Sequence, residues 1–344
     1  MIRNQFPVNL FIYPMDQFYT IVRPEDFRPK ITYRDRIIMI GSCFAEQVSR
    51  KLEIHKYSVL TNPFGILYNP ASLSTSIERI VSKKKYVSGD LVSQDGLHHS
   101  MDHHGLFSGV DEEKVLEGIN TAIEQSHSFL KNTKFVFISL GTASVFEYKH
   151  SNRIVGNCHK IPQNQFEKYT LSVEKCVKEM ESMFINIRQF SPNAHILWTI
   201  SPVRYLREGI IENQRNKATL IIAVREFLKH HQDSGYFPAY EIMMDQLRDY
   251  RFYASDMVHP STSAIEIIWD HFRDVYVDHE ECNHHALIEK IYKASNHRFL
   301  HESTQGKAAF ARSQLKAITD INVLFPDLDF KAEQQYFFEM TEPD

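Results

Sequence analysis

The chain has 344 residues, 43% of them apolar and 24% charged, and a net charge of −4 with its histidines neutral. That balance supports a substantial core and excludes a disordered chain, and no Lys/Arg run is longer than Lys83-Lys84-Lys85, which argues against a nucleic-acid surface. No segment approaches the roughly 20 apolar residues of a membrane span, and Met1-Ile2-Arg3-Asn4-Gln5-Phe6-Pro7 lacks the apolar stretch of a secretory signal, so a cytoplasmic protein without membrane attachment is expected. Cys43, Cys158, Cys176 and Cys282 are far apart and form no Cys-x-x-Cys pair, so neither a disulfide framework nor a zinc finger is indicated.

The aromatic-rich stretch from Phe11 to Phe27 reads as core packing or as a strand or lid over a pocket. Arg36-Ile37-Ile38-Met39-Ile40 is an apolar run stopped by Gly41, after which Ala45, Val48 and Leu52 recur at helical spacing: strand, tight turn, helix. Tyr57-Ser58-Val59-Leu60 predicts a second strand, Asn62-Pro63-Phe64-Gly65 and Asn69-Pro70 predict turns, and a helix follows over 72–81. The polar, His-rich residues 89–109 read as a surface loop with room for a short hairpin. Asp111-Glu112-Glu113 puts acids in the first turn of a helix, where the macrodipole favours them, and that helix should run to about Leu130.

Phe135 to Leu140 is a continuous apolar strand of the kind found in a sheet covered on both faces. Phe166, Tyr169, Val173, Val177, Met180, Phe184 and Ile187 recur three or four apart and predict one long helix. His195 to Ile200 is the next strand, Ala218, Ile221, Ile222, Arg225 and Leu228 the next helix, and Tyr236 to Met243 the last strand. A helix through Ile265, Ile268 and Phe272 closes the pattern. This alternation predicts an α/β fold with a three-layer, doubly wound, mainly parallel sheet. Past Val277, the residues Ala286, Leu287, Ile291, Tyr292 and Phe299 suggest one helix and Phe310, Leu315 and Ile318 another, so 1–277 reads as an α/β domain and 278–344 as a C-terminal helical extension.

Open α/β sheets bind ligands beyond the carboxyl ends of their strands. The informative segments are therefore Gly41-Ser42-Cys43, Asn62-Pro63-Phe64-Gly65, Gly141-Thr142-Ala143, Ser201-Pro202-Val203-Arg204 and the loop before His259. Asp256 and His259, three apart on a turn entering a helix, can lie on one side, so that the carboxylate orients the imidazole while its other nitrogen takes a proton from a nucleophile. The competing reading makes Asp256 a helix cap; the position late in an α/β chain, with a strand-turn motif near the start, favours the acid–base pair. His259-Pro260 is expected to cap the helix that follows. His98, His99, His103 and His104, with Asp95 and Asp102, invite a metal, but no His-Glu-x-x-His pattern or Cys partner accompanies them, and a solvated loop without metal is expected. Arg204 reads evenly as a binder of an anionic group, such as the phosphate of a nucleotide sugar or coenzyme A, or as the ion-pair partner of Glu147 or Asp245.

Gly41-Ser42-Cys43-Phe44-Ala45 resembles the signature of the GSCFA family, which belongs with the SGNH or GDSL hydrolases. Thr61-Asn62-Pro63-Phe64-Gly65, Ser201-Pro202-Val203-Arg204, and Asp249-Tyr250-Arg251-Phe252-Tyr253 leading into Asp256-Met257-Val258-His259-Pro260 extend the resemblance over roughly residues 32–275. It implies an SGNH-hydrolase or flavodoxin-like fold and acyl chemistry, without a substrate. In the Gly-Asp-Ser-Leu pattern of SGNH enzymes the serine is third, so register by the glycine puts Cys43 at the nucleophile position and Ser42 where the Asp would be. A cysteine there sits at a helix N-terminus, where the dipole and free N–H groups favour the thiolate, and Cys43 is preferred to Ser42 as nucleophile. The competing reading of Cys43 is a small buried hydrophobe.

The SGNH pattern would take its oxyanion donors from the nucleophile turn, a loop glycine and a Gly-x-Asn segment. Here the N–H groups of Cys43 or Phe44 and of Gly65 fit, but Gly141-Thr142-Ala143 lacks the asparagine, for which Asn62, Thr142 or Asn157 are substitutes that serve equally well as turn residues. A His-bearing loop like that of the family places His104 at the substrate. The function expected is an acyl-ester hydrolase or acyltransferase acting on an acetyl ester of a small-molecule or carbohydrate-like substrate, with no cofactor beyond an acyl donor such as acetyl-CoA for a transferase. The absent asparagine and the Ser-Cys pair motivate an alternative, a catalytically inactive ligand-binding protein on the same scaffold. A third reading is a partner in polysaccharide assembly that docks through the helical tail. Nothing in the sequence signals an oligomeric state.

Overall fold

The computed structural model describes residues 20–297 and 304–341. The chain begins with β1 (Arg36–Gly41), α1 (Cys43–Ile54), β2 (Ser58–Thr61) and α2 (Pro70–Ser82), then forms β3 (Leu91–Gln94), β4 (Leu97–Ser100) and α3 (Glu112–Leu130). It continues through β5 (Thr133–Leu140), β6 (Ser144–Tyr148), β7 (Arg153–Val155), β8 (Phe166–Thr170) and α4 (Val173–Phe190). Next come β9 (His195–Ile200), α5 (Ile210–Leu228), β10 (Gly235–Phe237), α6 (Ala239–Glu241) and α7 (Thr262–Tyr276). The helices α8 (His279–Ser295), α9 (Thr304–Leu324) and α10 (Lys331–Glu339) end the chain.

Why β1, β5 and β9 are apolar at consecutive positions is visible in their packing. Ile37, Met39, Phe135, Phe137, Leu197 and Phe237 point to one face and join a cluster with residues of α1, α7 and the C-terminal helices. Their neighbours Ile38, Ile40, Val136, Ile138, Ile196 and Trp198 point to the other face and join a cluster with residues of α2 to α5. A strand buried on both sides has no use for polar alternation. The five strands run in the order β2-β1-β5-β9-β10, and every neighbouring pair is parallel. The ends of β1, β2, β5 and β9 therefore share one edge, the carboxyl rim.

Two expected elements are corrected. Phe166 and Tyr169 do not begin the long helix: they lie in β8, which pairs antiparallel with β6, and β7 completes a separate three-stranded sheet. The helix starts only after Ser172, whose hydroxyl accepts the Lys175 N–H as an N-cap. A spacing of three between two aromatics suited either element, and the Ser before Val173-Glu174 was the decisive boundary. Likewise the last strand stops at Phe237, because Pro238 precedes a helical turn that continues into a π-helical segment over Ile242–Gln246. The hairpin in the His-rich stretch is present as β3 and β4.

The C-terminal helices pack on the α1 and α7 side of the sheet. Ile288, Ile291, Ala311, Ile318, Phe330 and Phe337 belong to the same apolar cluster as β1. Both carboxylate oxygens of Glu281 accept the Tyr33 N–H, at 3.0 and 2.8 Å, and Lys56 pairs with Glu333 at 2.6 Å. The aromatics from Phe11 to Phe18, together with Phe299, lie outside the described residues. Among the described residues, no helix is long and apolar enough to cross a membrane.

Candidate active site at the carboxyl rim

The turn after β1 is set by contacts with strands on either side. Gly41 has φ +131°, and a Cβ there would lie 2.1 Å from the Ser139 carbonyl oxygen of β5, so only glycine fits. Its N–H donates to Asn62 Oδ1 at 2.8 Å, and the Asn62 amide in turn donates to Glu46 at 3.3 Å. Ser42 is 2% exposed; its N–H donates to the Ser139 carbonyl and its hydroxyl bonds that of Ser139 at 2.8 Å. The same hydroxyl accepts the Phe44 N–H as the N-cap of α1. With Ser42 so engaged, Cys43 is the first residue of α1 and is partly exposed.

Burial pushes the Cys43 thiol up, and the Glu46 carboxylate adds to that; the N–H groups of Cys43 and Phe44 and the charge of Lys217 pull the other way. The thiolate expected at a helix start thus meets an opposing and larger desolvation.

Asp256 and His259 are built locally. Asp256 Oδ1 accepts the N–H groups of Val258 and His259 at 2.9 and 3.0 Å, and its Oδ2 meets His259 Nδ1 at 2.7 Å. These bonds, the His259 N–H first among them, hold the Asp256 carboxyl at about 2. Met257, between them, sits at φ 58°, a left-handed position that tightens the turn. The Arg204 N–H donates to the Val258 carbonyl at 3.1 Å and ties the corner to the loop after β9. His259 Nε2 makes no hydrogen bond within the described residues, and the side chains of His259 and Asp256 are 48% and 49% exposed. His259-Pro260 does not cap α7; Ser261 does, accepting the Ala264 N–H.

Cys43 and His259 line one cavity of about 430 Å³, together with Phe44, Val203 and Pro260 and with Glu289, Tyr292 and Lys293 from α8. The other candidate residues open elsewhere. Asn62 and Gly65 line a cavity of about 610 Å³, and the Gly65 N–H already donates to the Asn62 carbonyl at 2.7 Å. His104, Thr142 and Asn157 line a third cavity, of about 440 Å³, with Tyr68, Lys160 and Arg207. There the N–H groups of Gly141 and Thr142 both donate to the Tyr68 carbonyl, and Asn157 Oδ1 accepts the His159 N–H. Burial raises the Tyr68 phenol to about 12, and Cys43 adds to that.

Arg204 pairs with neither carboxylate expected of it: Glu147 accepts from Tyr169, and Asp245 pairs with Arg248. Its guanidinium contacts Met244 Sδ at 3.4 Å and lies over the Tyr253 ring, and its Nε is buried without a partner. The His-rich stretch is packed rather than solvated. His103 stacks on Phe64 with ring centroids 4.1 Å apart and bonds Ser100 at 2.8 Å, and burial lowers it to about 3. His99 bonds Ser108 and stacks on His159, while Asp102 holds Tyr86 and Arg153. Among the described residues, no group of three or more His, Cys, Asp or Glu side chains is arranged to hold a metal ion.

Sequence reasoning missed Lys217. Its side chain is 1% exposed, its Nζ donates to the Ser201 carbonyl at 2.6 Å, and burial lowers it to about 7. The signal was present, because Asn213, Lys217, Leu220, Val224 and Phe227 form the buried stripe of α5. Reading that helix from Ala218 onward left the lysine out of the stripe.

The fold and rim define an α/β protein with a cysteine at the first helix start and, on the same cavity, a histidine bonded to an aspartate. The chain belongs to the GSCFA family: the family model matches residues 36–272, and the C-terminal domain of GSCFA domain proteins matches residues 288–342. Among solved structures it is similar to one titled as a putative platelet activating factor from Streptococcus pneumonia, at 12% identity and a TM-score of 0.39, covering 74% of this chain and 85% of that one. No curated protein matches the chain.

Proposed function

We propose that the chain is an SGNH-type acyl-ester hydrolase or acyltransferase that acts on an acetyl or similarly small ester of a carbohydrate-like substrate. The observation that carries this reading is the shared cavity of about 430 Å³, on which Cys43 and a His259 with a free Nε2 both open. In the reaction, the Cys43 proton passes to His259 Nε2 and the sulfur attacks the ester carbonyl. The Cys43 N–H faces the developing oxyanion, and protonated His259 returns its proton to the leaving alkoxide. Water, or an acceptor hydroxyl in a transferase, then attacks the thioester with His259 again as base. Asp256 holds the imidazole through Nδ1 and offsets its positive charge.

The order β2-β1-β5-β9-β10 supports a doubly wound, SGNH-like sheet, with its ligand edge where Cys43 stands. We place this chemistry in a cytoplasmic domain over 1–277, with the extension over 278–344 supplying one cavity wall through Glu289, Tyr292 and Lys293. No cofactor is needed beyond an acyl donor such as acetyl-CoA for transfer. The inactive binding protein remains the second reading, favoured by the prior engagement of the Gly65, Gly141 and Thr142 N–H groups and by the burial that raises the Cys43 thiol.

Cleavage of a short-chain nitrophenyl ester tests the first reading. It expects wild-type turnover with an acyl adduct on the Cys43 peptide, and a far lower rate with His259→Ala. Equal rates in wild type and variant, with no adduct, overturn it in favour of binding without turnover.

A further inference from the structure

We infer that the cavity of about 440 Å³ lined by Tyr68, Tyr205 and the loop over 156–163 is a binding site for an anionic sugar, whose carboxylate or phosphate is held by Lys160 and Arg207. The inference concerns binding alone and does not rest on the acyl-ester reading.

The walls of this cavity are fixed through the backbone. Tyr68 is held at the carboxyl rim: its carbonyl accepts the N–H groups of Gly141 and Thr142 at 2.7 and 3.1 Å, and the N–H of Leu67 before it donates to the Gly41 carbonyl at 3.0 Å. The Tyr205 N–H donates to Asn213 Oδ1 at 2.8 Å, and the two tyrosine rings pack on each other with centroids 5.9 Å apart. The loop after β7 is anchored twice. The N–H groups of Gly156 and Asn157 both donate to the Met101 carbonyl, and a Cβ on Gly156 would lie 2.7 Å from the Leu67 side chain and 3.0 Å from the Asp102 carbonyl oxygen. Three residues on, His159 is 8% exposed, bonds the Ser100 carbonyl through Nε2 at 2.7 Å and stacks on His99. His159 and Lys160 are both left-handed, at φ 46° and 61°, and the turn that buries the imidazole leaves Lys160 exposed on the cavity.

The chemistry of the lining selects the ligand. It holds two cations, Lys160 and Arg207, and no Asp or Glu. Among the described residues neither cation forms an ion pair, and the acids beside them in the chain or the fold are engaged: Glu208 accepts from Ser144 at 2.7 Å and pairs with Lys168 at 3.0 Å, while Asp102 pairs with Arg153 at 3.1 Å. An anion entering here meets two positive charges and displaces no carboxylate. Asn157 Oδ1 is occupied by the His159 N–H, which leaves its Nδ2 as a donor, and His104 accepts the Leu106 N–H through Nδ1, which leaves its Nε2. Polar groups around a tyrosine pair suit a hydroxylated ring whose C–H face packs on the aromatic surface, and the volume lies in the range of roughly 300–1,000 Å³ usual for small-molecule sites. Because the two phenol rings pack on each other, they form no slot in which a flat base could be sandwiched, which favours a sugar over a nucleotide.

The test is isothermal titration calorimetry of the full chain with glucuronate and with glucose 6-phosphate, against glucose, inorganic phosphate and AMP. At least one of the two anionic sugars is expected to bind, and the tighter of them identifies the anion as carboxylate or phosphate. Glucose and inorganic phosphate, each carrying half of the recognised chemistry, are expected to bind roughly tenfold more weakly or less. Lys160→Gln and Arg207→Gln change exposed side chains and should leave the Tm of the free protein where it is, while each weakens binding of the anionic sugar by roughly tenfold, the usual worth of a hydrogen bond to a charged group. Failure of both anionic sugars to bind overturns the inference, as does wild-type affinity in a folded chain carrying both substitutions. Inorganic phosphate binding as tightly as the sugars, or AMP binding more tightly, overturns the assignment of a sugar. Binding by a chain that cleaves no ester would sink the proposed activity alone, and Cys43-dependent cleavage by a chain that binds neither anionic sugar would sink this inference alone.

Discussion

Cys43 stands in a corner assembled from distant parts of the chain: Gly41 bonds Asn62, and Ser42 bonds Ser139 through both backbone and side chain. The Asp256–His259 corner, on the same cavity, is held mainly by three bonds within four consecutive residues, and its side chains are about half exposed. The first corner cannot change without disturbing the sheet, whereas the second can lose its chemistry and leave the fold intact. Function and stability should therefore separate cleanly across the cavity, and mutations on its two sides should be distinguishable by assay.

The largest effect is expected on the exposed side. His259→Ala should lower ester cleavage by about 10²- to 10⁴-fold, the usual worth of a positioned general base, with urea unfolding within about 0.5 kcal/mol of wild type. Unfolding at much lower urea would mean that this corner supports the fold as well. Gly41→Ala should do the reverse, since the added Cβ meets the Ser139 carbonyl at a φ of +131°. A loss of about 3 kcal/mol or more in the urea midpoint is expected, and a native midpoint would show that the nucleophile turn is far more pliable than its contacts indicate.

Acid stability tests a second buried region, where His103 packs on Phe64. The folded-state value of His103 is lowered to about 3 by burial, with His159 and Arg79 adding to it. A lowered histidine binds protons more readily when unfolded, so its contribution is complete above about pH 6.5 and disappears as the pH falls toward 3. His103→Phe, which keeps a ring against Phe64, should shift the acid-unfolding midpoint to lower pH in a circular dichroism titration. An unshifted midpoint would move the acid sensitivity to His159 or His285, which burial also lowers, to about 4 and about 3. The smallest change is expected from Ser42→Ala, which removes a cap and one buried bond. Stability should fall by about 1 kcal/mol, with ester cleavage retained. Abolished cleavage in a folded Ser42→Ala would transfer the nucleophile role from Cys43 to Ser42.

Much of the architecture was legible in the sequence because its causes are local or apolar. The continuous runs of β1, β5 and β9 announce burial on both faces, and the Asp-x-x-His turn carries its own hydrogen bonds. Other features depended on packing between segments distant in the chain. Phe166 and Tyr169 fit helical spacing until pairing with β6 claimed them for a strand. Which of two adjacent residues faces the cavity was decided by the Ser139 hydroxyl on β5, which turned Ser42 inward. Lys217 on α5 reads as an ordinary charged residue until the sheet, Tyr240 and Ser201 close around it. Apolar periodicity reports that a face is buried; which polar group is enclosed there follows only when distant segments meet.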